Sequence, residues 1–174
     1  AYSKIDSLTK SNDALLKALS LAESLTDVYY KAIISTELGH NYASQKDFSR
    51  AENEITKAVL LSKSNGFNQL LGIQNLYLGL IYFDKADLDK AINYFKTASS
   101  LAAEEMDYNN VLEAEYLLAK SYMSMNNFVK AEEHYLNAVA LADRISKSLI
   151  NNSEIQISHF SGLSLQMEHC DLTS

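Results

Sequence analysis

The sequence repeats itself every 40 residues, and this repeat limits the fold more than any other feature. Five series of positions keep that spacing between residues 2 and 141, and each series keeps one kind of side chain. Such self-similarity is typical of an array of like units, each packing on its neighbours. The series are Tyr2, Tyr42, Tyr82 and Tyr122; Ala18, Ala58, Ala98 and Ala138; Leu21, Leu61, Leu101 and Leu141; Leu15, Ile55, Phe95 and Tyr135; and Leu8, Phe48, Leu88 and Phe128.

Each unit is predicted to be a hairpin of two helices. In the middle unit, Leu78, Gly79 and Tyr82 fall on one side of a first helix. After a turn at residues 85–87, apolar residues follow at spacings of 4, 3 and 3, which places them along one stripe of a second helix. That stripe consists of Ala91, Phe95, Ala98 and Leu101.

Polar and small residues recur at the positions where such hairpins need them. A short side-chain oxygen can accept a hydrogen bond from an unpaired amide of a first helical turn, which predicts an N-cap before each second helix. The predicted N-caps are Ser7, Asp47, Asp87 and Asn127. We expect turns between units at Asn65-Gly66 and at residues 107–110. We also expect the small first-helix residues Gly39, Gly79 and Ala119 to face an alanine of the second helix, so that the two helices approach closely.

The composition agrees with an all-helical protein and argues against several classes of partner. Apolar residues make up 47% of the 174 residues, and the five glycines and absent prolines are fewer than the tight turns of a sheet protein usually use. The net charge of −7 argues against nucleic acid and against an anionic membrane surface, because both attract basic proteins. No apolar run approaches the roughly 18 residues that a membrane-spanning helix needs.

Three short motifs recur in register along the chain. They are Leu38-Gly39-x-x-Tyr42, Leu78-Gly79-x-x-Tyr82 and Leu118-Ala119-x-x-Tyr122; Asp47-Phe48-Ser49-Arg50-Ala51, Asp87-Leu88-Asp89-Lys90-Ala91 and Asn127-Phe128-Val129-Lys130-Ala131; and Ile55-x-x-Ala58, Phe95-x-x-Ala98 and Tyr135-x-x-Ala138. In these motifs the chain resembles the tetratricopeptide repeat family. The resemblance implies an all-α fold, namely a right-handed superhelical solenoid of antiparallel helix hairpins.

The length of the unit sets this chain apart from the common form of the family. The common unit has about 34 residues, whereas the unit here has 40 and is similar to the long units of bacterial signalling regulators and kinesin light chains. HEAT repeats have a period of about 40 to 47 residues, but they lack this motif spacing and are the second alternative.

The register divides the chain into three complete repeats with a partial repeat at each end. The complete repeats are residues 26–66, 67–106 and 107–146. Residues 1–25 are expected to hold the end of a first helix and a whole second helix, because Tyr2 is equivalent to Tyr42. Residues 147–174 are expected to form a partial, degenerate repeat or a capping helix. We therefore expect the sequence to be part of a longer array.

In this family the first helices line the concave surface of the superhelix, which implies a binding groove. The middle unit contributes a mostly apolar surface to it and the neighbouring units a mixed polar rim, which suits an apolar peptide or an amphipathic helix. The alternative is that the apolar stripe only packs against neighbouring first helices. The implied concave residues are Ile33, Thr36, Glu37, His40, Ile73, Leu76, Tyr77, Leu80, Phe83, Glu113, Tyr116, Lys120 and Met123.

One ligand known for the family is not expected here. Some members bind the C-terminal carboxylate of chaperones through lysine, asparagine and arginine at concave positions. The corresponding positions carry no basic clamp; they hold Thr36, His40, Tyr77, Glu113 and Leu117.

The sequence shows no constellation typical of catalysis or metal binding. His159, His169 and Cys170 are potential zinc ligands, but a structural zinc site normally takes two close pairs of ligands and no second pair is present. Neither a phosphate-binding glycine loop nor a nucleophile elbow occurs. We therefore expect no enzyme activity, no metal and no cofactor.

Three functional hypotheses follow. The first is a non-catalytic module that binds a protein or peptide in the concave groove. The second is a ligand-sensing segment of a bacterial signalling protein, such as a cyclase, kinase or transcription regulator. The third is a structural array that self-associates through the apolar groove or through the repeat ends.

Overall fold

Within the residues that the structure describes, the chain is entirely helical. The computed structural model describes residues 2–147, with side chains from residue 7 onward. The expected all-α solenoid of helix hairpins is confirmed over this range, and none of its helices is long and apolar enough to cross a membrane. The helices are α1 (Tyr2–Ser24), α2 (Val28–Ser44), α3 (Phe48–Asn65), α4 (Asn68–Asp84), α5 (Leu88–Glu104), α6 (Tyr108–Ser124) and α7 (128–147).

The connections between these helices repeat every 20 residues, which is half the period seen in the sequence. One residue in each connection has a positive φ, and the next residue precedes the following helix. The residues with positive φ are Thr26, Lys46, Gly66, Ala86, Met106 and Asn126. Helices α2 to α6 have 17 or 18 residues each, so the extra length of the unit lies in its helices and not in its loops.

Each connection closes with a backbone hydrogen bond from the residue before the next helix to the carbonyl five residues earlier. At the end of α2, the amide of Asp47 donates to the carbonyl of Tyr42 at 2.9 Å, and the amide of Lys46 donates to the carbonyl of Ala43 at 2.8 Å. This arrangement is the Schellman motif, which requires one residue in the left-handed conformation. Glycine fills that place only once in the described residues, at Gly66, so the other connections hold an L-residue in a conformation that costs it about 1–2 kcal/mol.

This strain leads to a paired stability prediction. We expect Gly66→Ala to lower the free energy of unfolding by about 1 kcal/mol, because alanine resists a φ of 72°. Steric overlap does not contribute, since no atom lies within 4 Å of an added Cβ there. Conversely, Ala86→Gly should raise the free energy of unfolding by up to about 1 kcal/mol. Urea denaturation followed by circular dichroism measures both, and two changes of the same sign would contradict this account.

Three of the four expected N-caps are found. The side chains of Asp47, Asp87 and Asn127 accept hydrogen bonds from the amides of Arg50, Lys90 and Lys130, at 3.1, 3.3 and 3.3 Å. The sequence analysis did not single out two further caps, at Asp27 and Asp107, which begin α2 and α6. Phe67 stands in the equivalent place before α4 and makes no side-chain cap.

The prediction that Ser7 begins a helix is wrong. Helix α1 runs from Tyr2 to Ser24 without a break, so residues 2–6 are not the end of a separate first helix. In the complete units the turn is held by two long helices that pack on each other. A single serine side chain contributes only about 0.5–2 kcal/mol as an N-cap, which is too little to interrupt a helix by itself.

The core lies between successive hairpins as well as within each one, and α4 serves two clusters. Its residues Leu78 and Ile81 are buried with Leu38 and Ile55 of the preceding hairpin. On another face, Leu76 is buried with residues of α5 and α6, including Phe95, Leu117 and Leu118. This double packing explains why α4 is apolar almost all round, since such a helix needs partners on more than one side.

Gly39 and Gly79 of the first helices lie closest to the large residue of the second helix, and Gly39 also lies near an alanine, as expected, with the carbonyl oxygen of Ala51 3.1 Å from an added Cβ. A Cβ added at Gly79 would lie 2.5 Å from Cδ1 of Phe95, and one added at Gly39 would lie 2.5 Å from Cγ1 of Ile55. Each glycine therefore leaves space for a large apolar side chain that is fully buried. An alanine at position 79 would place its Cβ in the space that the Phe95 ring occupies, so only glycine at that position permits the contact.

Candidate peptide-binding groove on the first helices

The first helices α2, α4 and α6 lie side by side and form the inner surface of the array. Helix α4 contacts both α2 and α6 directly, whereas the second helices α3 and α5 do not contact each other. Helices that are closer together on one side of an array than on the other make that side concave. The surface of α2, α4 and α6 is therefore the concave face that the sequence predicted as a groove.

Most of the predicted groove residues are accessible to a ligand. Tyr116 and Met123 are 49% and 57% exposed, and Glu37, Glu113 and Lys120 are also exposed. Six others are half-buried and form the floor between them. These are Ile33, His40, Ile73, Tyr77, Leu80 and Phe83.

Two of the predicted groove residues are buried and do not belong to the site. Leu76 has no exposed surface, because α5 and α6 cover it. Thr36 is 5% exposed; its hydroxyl donates to the carbonyl of Ala32 at 2.7 Å and accepts from Nε2 of Gln74 at 3.1 Å. Both side chains are covered by neighbouring helices, so neither is accessible on the face on which the repeat register placed it.

Aromatic contacts join the three helices into one continuous surface. The ring of His40 on α2 stacks on Tyr77 of α4, with centroids 4.5 Å apart and planes 8° from parallel. On the other side, Nζ of Lys120 on α6 lies 5.4 Å from the ring centre of Phe83 on α4. It also lies 5.6 Å from the ring centre of Tyr116. The groove floor is therefore aromatic over much of its width.

The electrostatic character of the groove centre is acidic. Burial, followed by the negative charges of Glu37 and Glu113, raises the pKa of the Tyr77 hydroxyl above its usual range. Among the described residues, neither carboxylate has a hydrogen bond or an ion pair. Lys120 is the one lysine or arginine among the predicted groove residues, and it lies against aromatic rings.

The recurring tyrosine of the Leu-Gly-x-x-Tyr motif stabilises the hairpins and takes no part in the groove. The hydroxyl of Tyr82 donates to Glu52, which raises the pKa of Tyr82 to about 12 and lowers the pKa of Glu52. The same carboxylate accepts from Lys85 at 3.1 Å, and Lys90 lies 4.9 Å from the ring centre of Tyr82. Comparable cation–π contacts join Tyr42 to Arg50 and Tyr122 to Lys130.

Comparison with known families identifies this architecture. Residues 77–105 match the family model described as Tetratricopeptide repeat. That segment is therefore of the tetratricopeptide type, and the helix hairpins on either side of it have the same fold. This confirms the resemblance noted from the sequence, and such repeats generally serve as non-catalytic scaffolds for protein interaction. A comparison with curated proteins gave no significant match.

Two solved structures share the fold of this chain. BtubC (BKLC) from P. vanneervenii superposes with a TM-score of 0.63 at 19% identity, over 83% of this chain and 58% of that one. Aspartyl phosphate phosphatase F from Bacillus subtilis gives a TM-score of 0.60 at 17% identity, over 79% of this chain and 41% of that one. At these identities the likeness is one of fold, and the chain spans about half the length of either structure.

A second candidate site lies where the third repeat ends, and the sequence analysis missed it. A cavity of about 640 Å³ opens between α6 and α7, lined by Tyr116, Met123, Phe128, Ala131 and Tyr135, among others. The corresponding residues of the preceding repeat are covered by α6. The sequence signal was misleading here, because Phe128 and Tyr135 belong to series whose other members face the interior of a hairpin.

A third cavity, of about 450 Å³, lies between α1 and α3 on the outer side of α2. It exists because successive second helices do not contact each other, so they leave a furrow above the first helix between them. Its lining mixes apolar and charged side chains, including Leu16, Lys31, Glu54 and Lys57. Glu54 and Lys57 form an ion pair with each other at 2.7 Å, which leaves few groups to orient a ligand.

The described residues contain no cluster of histidine, cysteine, aspartate or glutamate able to hold a metal ion. The potential zinc ligands His159, His169 and Cys170, and the predicted partial repeat at 147–174, lie outside the described residues apart from Lys147.

Proposed function

We propose that this chain is a protein-interaction module that binds a peptide or helix of a partner protein on the concave face of α2, α4 and α6. The observation that carries the proposal is the continuous aromatic and apolar floor, which runs from His40 through Tyr77 and Phe83 to Tyr116. Half-buried apolar residues between polar ones are typical of surfaces that bind amphipathic segments. The repeat family supports the same conclusion, since it generally serves protein interaction.

Partial burial restricts which groove residues are suitable for a test. Leu80 and Phe83 pack against the core cluster that contains Phe95, so charged substitutions there would damage the fold as well as the groove. Tyr116 and Met123 are about half exposed on the same face and are the better choice. Val129 and Leu136, which are 79% and 58% exposed on α7, provide a matched control away from the groove.

The test compares variants of equal charge in a peptide-library pull-down. We expect the parent protein to capture a subset of apolar or amphipathic peptides, and Tyr116→Glu with Met123→Glu to weaken that capture at least about tenfold, as expected for loss of anchor residues. Val129→Glu with Leu136→Glu adds the same charge and should bind as the parent does. Circular dichroism should show unchanged helicity in all three proteins.

Two results would contradict the proposal. One is capture that the control variant loses as readily as the groove variant, which would indicate nonspecific contact with apolar surface. The other is capture that Tyr135→Glu weakens as strongly as the groove variant does. Because Tyr116 and Met123 line both the concave face and the cavity between α6 and α7, whereas Tyr135 lines only the cavity, this result would move the site there.

The sensing and self-association hypotheses stay predictions from the sequence. Binding in the groove is common to the sensor and to the simple interaction module, and the two differ in whether a ligand changes the activity of an attached domain. Self-association is tested by light scattering after size exclusion. A monomer at high protein concentration would contradict the self-associating array and leave the peptide-binding proposal unaffected.

A further inference from the structure

The groove carries two carboxylates, Glu37 and Glu113, whose charge no neighbouring side chain in the described part of the chain neutralises. Several other acidic side chains of the array cap helices or form ion pairs, such as Asp47 with Arg50 at 2.6 Å and Glu52 with Lys85 at 3.1 Å. Glu37 and Glu113 do neither within the described residues, although both lie on the first helices beside the groove floor. Their charge is therefore available to a partner.

The order of the helices places these carboxylates on either side of one aromatic residue. Helix α4 lies between α2 and α6, so Tyr77 lies between Glu37 of α2 and Glu113 of α6. Glu37 is one turn from His40, whose ring stacks on Tyr77 at 4.5 Å. Both negative charges act on the Tyr77 hydroxyl and help to raise its pKa. The centre of the groove thus combines an aromatic surface with negative charge on both sides.

One cationic side chain of the protein, Lys120, already lies over aromatic rings of the groove. Lys120 extends over the rings of Phe83 and Tyr116, with its ammonium group 5.4 and 5.6 Å from their centres. An ammonium or guanidinium group over an aromatic ring is attracted by the negative charge of the ring face, and the attraction is stronger where the site is shielded from water. The part of the floor at Tyr77 and His40 has no such cation of its own among the described residues.

We propose that the concave face selects a partner segment bearing a lysine or arginine, whose cationic group lies over Tyr77 between Glu37 and Glu113 while apolar neighbours contact Ile73, Leu80 and Phe83. The inference rests on the proposed function, and it further specifies that the bound segment carries a positive charge. The complementarity is consistent with the whole protein, whose net charge of −7 attracts basic segments. An acidic segment would place like charges together, which costs affinity and provides discrimination.

The test uses synthetic peptides of about 15 residues, long enough to lie along the groove as a helix. All share one alanine- and leucine-rich sequence and differ only at the central position, which is lysine, arginine, glutamine or glutamate. Fluorescence anisotropy should show the lysine and arginine peptides binding about 5- to 10-fold more tightly than the glutamine peptide, and the glutamate peptide binding most weakly. The preference should shrink as salt rises from low to physiological concentration.

Matched variants assign the preference to the two carboxylates. Glu37→Gln with Glu113→Gln should bind the lysine and glutamine peptides about equally. Glu104→Gln with Glu105→Gln, which removes the same charge from the exposed end of α5, should keep the preference. Equal binding of all four peptides by the parent would overturn this inference and leave the proposed function standing. Absence of binding by every peptide, together with an empty library screen, would overturn both.

Discussion

Replacing Phe95 with alanine is expected to lower the free energy of unfolding by about 3–5 kcal/mol, the largest effect of any single substitution considered for this chain. Phe95 has no exposed surface and is the largest fully buried side chain of the described residues. It packs in the cluster shared by α4, α5 and α6, against Leu76 and Leu118. Its loss leaves a cavity at the point where two successive repeats meet, and neither glycine nor alanine neighbours can fill it.

The repeat supplies the control for this prediction. Tyr135 stands 40 residues after Phe95 in the same series, but its side chain is 55% exposed. We expect Tyr135→Ala to change the free energy of unfolding by less than about 1 kcal/mol, because little buried surface is lost. Chemical denaturation of the two variants and the parent measures the difference. Comparable losses at both positions would show that position in the repeat, and not local burial, governs stability.

Replacing Gly79 with alanine should also destabilise the array strongly, by about 1–3 kcal/mol or more. The added Cβ would lie 2.5 Å from Cδ1 of Phe95. The ring is fixed on its other sides by the core, so either Phe95 leaves its position or α4 and α5 move apart. Alanine stabilises a helix by about 1 kcal/mol relative to glycine. The predicted decrease in the free energy of unfolding is therefore the cost of the steric overlap minus this gain.

Gly72 is the matched control, because it lies in the same helix and is also buried. A Cβ added there would lie 3.4 Å from Cβ of Ala102, which is an ordinary contact. We therefore expect Gly72→Ala to be neutral or to stabilise the protein by up to about 1 kcal/mol. Thermal unfolding of both variants distinguishes the two cases. A stable Gly79→Ala protein would contradict the close contact of Gly79 with Phe95.

The sequence predicted the helix hairpins well because their determinants are local. Caps such as Asp47 and Asp87, the turn at residues 85–87 and the stripes of apolar residues all act within one or two helical turns. The 40-residue period then showed that each hairpin packs on the next. The failure at Ser7 has the opposite origin, since a turn also depends on whether a partner helix exists, and the cap residue alone does not determine it.

The groove was harder to predict, because the exposure of a side chain depends on which neighbouring helices cover it. Leu76 and Leu80 are four residues apart on one helix and were assigned to the same stripe, yet Leu76 is fully buried and Leu80 is only half-buried. Likewise, Phe95 and Tyr135 belong to one series, yet Phe95 is buried and Tyr135 is 55% exposed. Phe95 packs against Gly79, whereas the position equivalent to Gly79 in the repeat of Tyr135 is Ala119, which carries a Cβ. The periodicity of the sequence specifies which residues share one face of a helix, but it does not specify which neighbouring helix covers that face.

The proposed binding face can be tested most directly by site-specific photo-crosslinking with a peptide obtained from the library screen. Benzoylphenylalanine introduced at Glu113, which is exposed on the concave face and does not line the cavity between α6 and α7, reports on that face, and the same residue introduced at Leu136 reports on the second helix of the same hairpin. The account predicts a crosslinked product from position 113 and none above background from position 136. Crosslinking from position 136 alone, or equally from both, would contradict the concave face as the binding site.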